Sequence, residues 1–172
     1  PNALQQLVPY ASLPRFGFVQ APQTYRIGPE DVWDRTCREF HTVSQSYRAH
    51  QNAVMLTGTS ALLSAAAIRE VGGFDEKTVT EDIFTGARIQ AASYDSYFHP
   101  DPVAYGLVPD ALSDILRQRL RWAQGSFQLL KRWWPATRGL STKQKLTYFS
   151  GVGHFALGAL NLVLPAVPIL VL

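Results

Sequence analysis

The stretch TEDIFTGARIQAASYDSYFHPDPVAYGLVPDALSDILRQRLRW (Thr80–Trp122) carries most of the fold information in the chain. Thr80 is a suitable N-cap, and Glu81 to Ala92 follows as a helix. Ser96 to His99 reads as a strand, stopped by Pro100 and Pro102, and Val103 to Leu107 as one more. Ser113 opens a long helix that runs to about Trp134 and ends at Pro135. Strands alternating with helices predict an α/β domain.

Upstream, Asn2 to Tyr10 reads as a short helix with Leu4, Leu7 and Val8 on one face. Phe16-Gly17-Phe18-Val19-Gln20 is a strand-type run stopped by Pro22. Pro29 to His50 has apolar residues at roughly helical spacing and predicts a helix over a sheet. Ala53 to Leu56 is a buried-strand candidate that enters the small-residue turn Thr57-Gly58-Thr59-Ser60. Leu62 to Ile68 fits either strand or helix. Val71-Gly72-Gly73-Phe74-Asp75 is a turn. Downstream, Ser141 begins a second amphipathic helix.

The 172 residues carry 16 Lys and Arg against 13 Asp and Glu. Every acid lies at or before Asp114, whereas Arg117, Arg119, Arg121, Lys131, Arg132, Arg138, Lys143 and Lys145 follow without one. Such a block needs a negative partner: nucleic acid, anionic lipid or a nucleotide diphosphate. Cys37 is the single cysteine, so no intrachain disulfide forms. His41, His50, His99 and His154 lack metal-ligand spacing. Tyr148 to Leu172 has no formal charge and exceeds the roughly 20 residues that a membrane span needs. It reads as a transmembrane helix or as a buried helix of a soluble core. Basic residues before it place the preceding domain in the cytosol. An apolar span so close behind Trp133-Trp134 favours an interfacial aromatic belt over base stacking, so no nucleic-acid partner is expected. Both ends, Pro1 and an apolar run finishing at Leu172, read as cuts in a longer chain.

Three constellations could carry chemistry. Glu81 and Asp82 stand in a helix first turn, where the dipole and free N–H groups favour the charged form. A carboxylate that stays ionised can serve as a general base. Adjacent side chains diverge, so at most one of them faces a substrate, and both could be merely stabilising. Gln118, Arg121 and Trp122 share one helix face. A guanidinium suits phosphate oxygens, an indole offers a plate for a sugar ring, and an amide binds hydroxyls. The same face could equally be an amphipathic membrane-surface helix. Thr57-Gly58-Thr59 lets a ligand approach the backbone, or is an ordinary tight turn.

The Thr80-Glu81-Asp82 and Gln118-x-x-Arg121-Trp122 pair, followed by an apolar span, resembles the signature of processive family 2 glycosyltransferases, the group that includes cellulose, chitin, hyaluronan and poly-N-acetylglucosamine synthases. Phe18-Val19-Gln20-Ala21-Pro22-Gln23 is similar to that family's strand and turn, Thr57-Gly58-Thr59 falls where cellulose synthases have Cys-Gly-Ser, and Val71-Gly72-Gly73-Phe74 also fits.

The resemblance implies the C-terminal half of a GT-A (nucleotide-diphospho-sugar transferase) domain over 1–112. Interface helices with the Gln-x-x-Arg-Trp motif follow over 113–147, then a transmembrane helix over 148–172. It implies an inverting transfer from a UDP-sugar, UDP-glucose first, to the non-reducing end of a β-linked polysaccharide. Asp82 would be the base. Thr80, Glu81, Trp122, Thr57, Gly58 and Thr59 would meet the acceptor, and Gln118 and Arg121 the donor diphosphate. A divalent metal, Mg²⁺ or Mn²⁺, is expected with its ligands upstream of Pro1. A lipid bilayer and further synthase subunits are the expected partners, and the plasma membrane the expected location. Thr57 replaces a cysteine, and Gln23 stands where many cellulose synthases have histidine. UDP-N-acetylglucosamine as donor, a lipid-linked transferase, or a membrane-surface adaptor are therefore alternatives.

Overall fold

The computed structural model describes residues 2–25, 37–132, 137–153, 155 and 158. Phe16–Gln20 forms the central strand, β1, of a three-stranded sheet. It is antiparallel to Ala61–Leu63 and parallel to Asp95–Phe98. Thr24–Tyr25 (β2) and Tyr105–Gly106 form a separate parallel ribbon. In chain order the strands after β2 are β3 (Ala61–Leu63), β4 (Asp95–Phe98) and β5 (Tyr105–Gly106). The helices are α1 (Ala3–Leu7), α2 (Gln45–Ala49), α3 (Ala65–Glu70), α4 (Glu81–Ala91), α5 (Leu112–Lys131) and α6 (Thr142–Val152). This is a mixed α/β arrangement.

The undecided Leu62 to Ile68 resolves into both forms, with β3 ending before Ser64. That serine caps α3 by accepting from Ala67 N at 3.3 Å. Only Tyr105–Gly106 of the strand expected over Val103 to Leu107 pairs, and Leu107 is exposed. The helix expected from Pro29 is seen as a π-helical turn, Phe40–Ser44, continued by α2; its start lies outside the described residues, as do Trp133 to Pro135.

Ala53 to Leu56 corrects the expected strand. Its side chains alternate as in one: Ala53 and Met55 enter a cluster with Phe84, Leu129 and Tyr148, while Val54 and Leu56 enter another with Phe18 and Ile89. Its backbone joins no ladder because buried side chains occupy the hydrogen-bonding groups. The Gln45 amide donates to Met55 O at 2.6 Å and accepts from Met55 N at 3.0 Å. Val54 O accepts from Gln90 Nε2 at 2.9 Å and from the Tyr148 hydroxyl at 3.3 Å. Buried backbone must be paired, and side-chain amides satisfy it here in place of a neighbouring strand.

Tyr148 bears on the membrane span expected over 148–172. It is fully buried within α6, and a buried tyrosine needs the hydroxyl partner that Val54 provides. Tyr148–Val152 therefore belongs to a helix of the domain core, and nearly all the remaining span lies outside the described residues. Among the described residues no helix is long and apolar enough to cross a membrane. Ser141 starts α6 with a full capping box to Gln144, as its sequence position suggests.

Two buried groups weaken the fold in acid. Burial lowers the His41 pKa to about 4 from its ordinary 6.5. The unfolded chain then binds the proton more readily, so stability falls as pH drops from about 6.5 towards 4. Asp75 is held below the usual carboxylate range chiefly by its hydrogen bonds from Arg132, against the opposing effect of burial. Its contribution is full above the unfolded carboxylate pKa of about 4 and is lost as pH falls through the lower folded value. Thermal unfolding between pH 7 and 3 should show loss in both windows, and His41→Gln should flatten the upper one.

Candidate functional site

Helix α5 is fastened to the segment before α4 at several points. Val79 N donates to Gln128 Oε1 at 2.9 Å. Arg132 donates to both oxygens of the buried Asp75 at 2.7 and 3.0 Å, and its guanidinium lies over the Phe84 ring, 4.3 Å from the centroid. A Cβ on Gly125 would fall 2.3 Å from the Thr80 side chain. Only glycine allows this approach. The consequence for Thr80 corrects an expectation: it occupies the N-cap position, but its side chain makes no cap hydrogen bond. It is buried against α5 instead.

This docking sets the N-terminal half of α5, with Gln118, Arg121 and Trp122, in relation to the first turn of α4. Glu81 and Arg121 are exposed, whereas Asp82, Gln118 and Trp122 are half-buried. Arg119 stacks over the Trp122 ring at 5.3 Å. Arg117 pairs with Asp114 at 3.3 Å.

Asp82 accepts from Ile83 N at 2.8 Å through Oδ1. Its Oδ2 faces Gly58, where an added Cβ would sit 2.9 Å away. The expected preference for the charged form is overturned here. Burial raises the Asp82 pKa and outweighs the Ile83 N–H, while Glu81 raises it further and Arg121 lowers it. Desolvation wins because the carboxylate exchanges water for few donors.

The Thr57–Thr59 loop is pinned from beneath by two glutamines. Fully buried Gln20 accepts from Thr57 N at 3.0 Å and donates to Thr59 O and to Ala21 O, both at 2.7 Å. Gly58 lies between the two loop anchors with φ of 73°, the left-handed region that favours glycine. Gln23 Nε2 donates to Thr57 O at 3.4 Å and to Thr59 Oγ1. In the sequence Gln20 stands out only as part of a motif, and Gln23 only as a departure from the cellulose-synthase histidine. The signal for Gln20 is an amide closing an apolar strand, which must find partners once buried.

The structure thus brings Asp82, Glu81, Gly58 and Arg121 into one neighbourhood, with Thr57 and Thr59 on the same loop. The whole chain, residues 1–172, matches the family model described as glycosyl transferase family group 2. The chain belongs to this family.

The family 2 chain is 31% identical over 154 residues to a cellulose synthase catalytic subunit of Dictyostelium discoideum, covering 86% of the chain and 14% of that protein. It is 34% identical over 125 residues to the cellulose synthase catalytic subunit of Xanthomonas axonopodis pv. citri, covering 72% of the chain and 17% of the relative. The cellulose synthase catalytic subunit of Komagataeibacter sucrofermentans is 34% identical over 131 residues, 76% of the chain and 17% of the relative. The chain therefore spans under a fifth of these relatives' length.

Family 2 enzymes generally use a divalent metal. Among the described residues no group of three His, Cys, Asp or Glu side chains could hold one. The described residues do not fit that group. A cavity of about 590 Å³ lies at the α5 docking seam, lined by Phe74, Asp75, Lys77, Arg88 and Arg132 among others, and Asp82 and Arg121 are not among its lining residues.

Proposed function

We propose that this chain is the C-terminal half of the GT-A catalytic domain of a membrane-bound, inverting glycosyltransferase that elongates a β-linked polysaccharide from a UDP-sugar, UDP-glucose first. The observation that carries the reading is Asp82, half-buried at the start of α4 with Oδ2 against the Gly58 loop and within the field of Arg121.

In this reading Asp82 takes the proton from the acceptor hydroxyl as that oxygen attacks the anomeric carbon. The bond from the anomeric carbon to the diphosphate oxygen breaks, and UDP leaves with the electron pair. A raised carboxylate pKa brings the base closer to working pH and strengthens it as a proton acceptor. Arg121 stabilises the charge growing on the diphosphate, and Gln118 binds polar groups beside it. Trp122, with Arg119 over one face of its ring, offers the other to the C–H face of an acceptor sugar. Thr80 and Glu81 position the first turn, and Thr57, Gly58 and Thr59 line the acceptor end. Mg²⁺ or Mn²⁺ would be held by residues elsewhere in a longer protein.

A bilayer partner is supported by Leu112, Leu116 and Leu120, exposed at successive four-residue steps along α5. Leu146 and Phe149 on α6 are also exposed. Such apolar stripes, on two helices that also carry Lys131, Lys143 and Lys145, suit an anionic membrane surface. The proposed location is the plasma membrane, with the catalytic side cytosolic.

Gly58→Ala tests the loop. Its Cβ collides with Asp82 Oδ2, and its φ opposes a side chain by about 1–2 kcal/mol. A displaced base should lower the transfer rate by roughly 10²-fold, read as initial sugar incorporation per folded enzyme.

The function itself is tested with the full-length protein in membrane vesicles, supplied with divalent metal and labelled UDP-glucose or UDP-N-acetylglucosamine. Polymer from one donor supports the reading and names the sugar. UDP-N-acetylglucosamine is a real contender because Thr57 and Gln23 depart from the cellulose-synthase residues. Incorporation from neither donor, with salt-sensitive binding to anionic vesicles, would favour the adaptor.

A further inference from the structure

The loop beside Asp82 carries a hydrogen-bond chain with a fixed direction. Gln23 Nε2 donates to Thr57 O at 3.4 Å. A carbonyl can only accept, so the amide nitrogen must face the loop, and Oε1 must face away from it. There Oε1 accepts from the Tyr25 hydroxyl. Burial raises the Tyr25 pKa, so the phenol keeps its proton. The same Nε2 donates to Thr59 Oγ1. Both ends of the Gln23 amide are therefore committed, and the Thr59 oxygen is used as an acceptor. Its own hydrogen remains to be donated, from an exposed residue next to the one facing Asp82.

We infer that Gln23, held by Tyr25, is a positioning residue that takes one lone pair of Thr59 Oγ1 and so presents the Thr59 hydrogen as a donor to the incoming acceptor sugar. This rests on the proposed glycosyltransferase reading and deepens it. Thr59 would recognise an acceptor oxygen with a free lone pair, a ring or hydroxyl oxygen of the terminal sugar. A loop that presented an acceptor atom here would select a different sugar orientation. The β2–β5 ribbon supports the relay, since Tyr25 sits in it opposite Gly106.

Gln23→Glu keeps the shape and reverses the polarity. A carboxylate takes the Thr59 hydrogen instead of giving one, and Thr59 then has none to offer. Thr59→Val removes the hydroxyl altogether. In vesicles of the full-length protein with saturating UDP-glucose, initial rates are measured against cellopentaose concentration. Chitopentaose and UDP-N-acetylglucosamine are used if that is the donor the wild type accepts. Each single variant should raise the acceptor KM by about tenfold, the size of one lost hydrogen bond, with a smaller effect on kcat. The double variant should again show about tenfold and not a hundredfold, because both changes remove the same bond. Tyr25→Phe, which frees the amide to turn over, should give a smaller rise in the same direction.

An unchanged acceptor KM in Gln23→Glu, or multiplicative effects in the double variant, overturns the inference while leaving the enzyme reading intact. Loss of kcat with unchanged KM would make Gln23 a support of the loop alone and also overturns it. A wild-type protein that incorporates neither sugar removes the enzyme reading, and the inference with it.

Discussion

Asp82→Asn is expected to lower sugar transfer by about 10²–10⁴-fold, the usual contribution of a positioned general base. The asparagine amide matches the carboxylate in shape, and its Oδ1 can still accept from Ile83 N, which now sits at 2.8 Å. The α4 first turn should therefore survive. The half-buried site loses a charge that burial already disfavours, so the folded protein should be no less stable and could gain slightly. Acceptor and donor binding should change far less than kcat. This pattern, a large rate loss in a well-folded variant, separates a base from a structural first-turn acid. Glu81→Gln, which alters the exposed neighbour, should reduce transfer much less. Initial incorporation rates per folded enzyme provide the comparison.

Gly139→Ala is expected to produce the largest loss of stability from a single added methyl. The new Cβ would lie 1.9 Å from Ala91 O and 2.8 Å from Ala91 C. These are backbone atoms at the end of α4, which cannot swing aside as a side chain could. The loop must back away, and it carries the buried Thr137 and Leu140 with it. Leu140 belongs to the same cluster as Met55, Phe84, Leu129 and Tyr148, so the displacement loosens that cluster. Overpacking of this kind costs on the order of 3 kcal/mol. Thermal unfolding of the purified protein in detergent should show a fall of several degrees. An unshifted transition would mean that the loop lies elsewhere.

Much of this was readable from residues alone. The strand at Phe16 to Gln20, the turn at Thr57 to Ser60 and the helices that begin near Glu81 and Ser113 follow from local patterns, and the structure has them within a few residues. Tertiary effects decided the rest. Ala53 to Leu56 has the composition of a strand, but the Gln45 and Gln90 amides take the bonds a ladder would use. Thr80 has the right chemistry for a cap, yet the approach of Gly125 presses its side chain into α5. Tyr148 looks like the first residue of an apolar span, but its hydroxyl reaches Val54 across 94 residues of chain.

The site divides in the same way. Asp82, Arg121 and the Gly58 loop were legible as separate motifs, because each has a chemistry that a sequence displays. Their convergence depends on how α5 docks, and the residues that dock it, Asp75, Gln128 and Arg132, stand in the sequence as the end of a turn, an unremarked amide and one charge of a basic block. The sign of the Asp82 shift could not be read either. A helix first turn argues for a low pKa, and only the burial of that carboxyl, known from the fold, reverses it.

The most direct test of Asp82 as the base is the pH dependence of kcat for sugar transfer, measured on wild type and on Asp82→Asn in the same vesicles. Activity requires the carboxylate, so the wild-type rate should fall on acidification with a midpoint above the ordinary carboxylate value. The residual activity of Asp82→Asn should lack that limb. An identical acid limb in both proteins would contradict the account and move the base elsewhere.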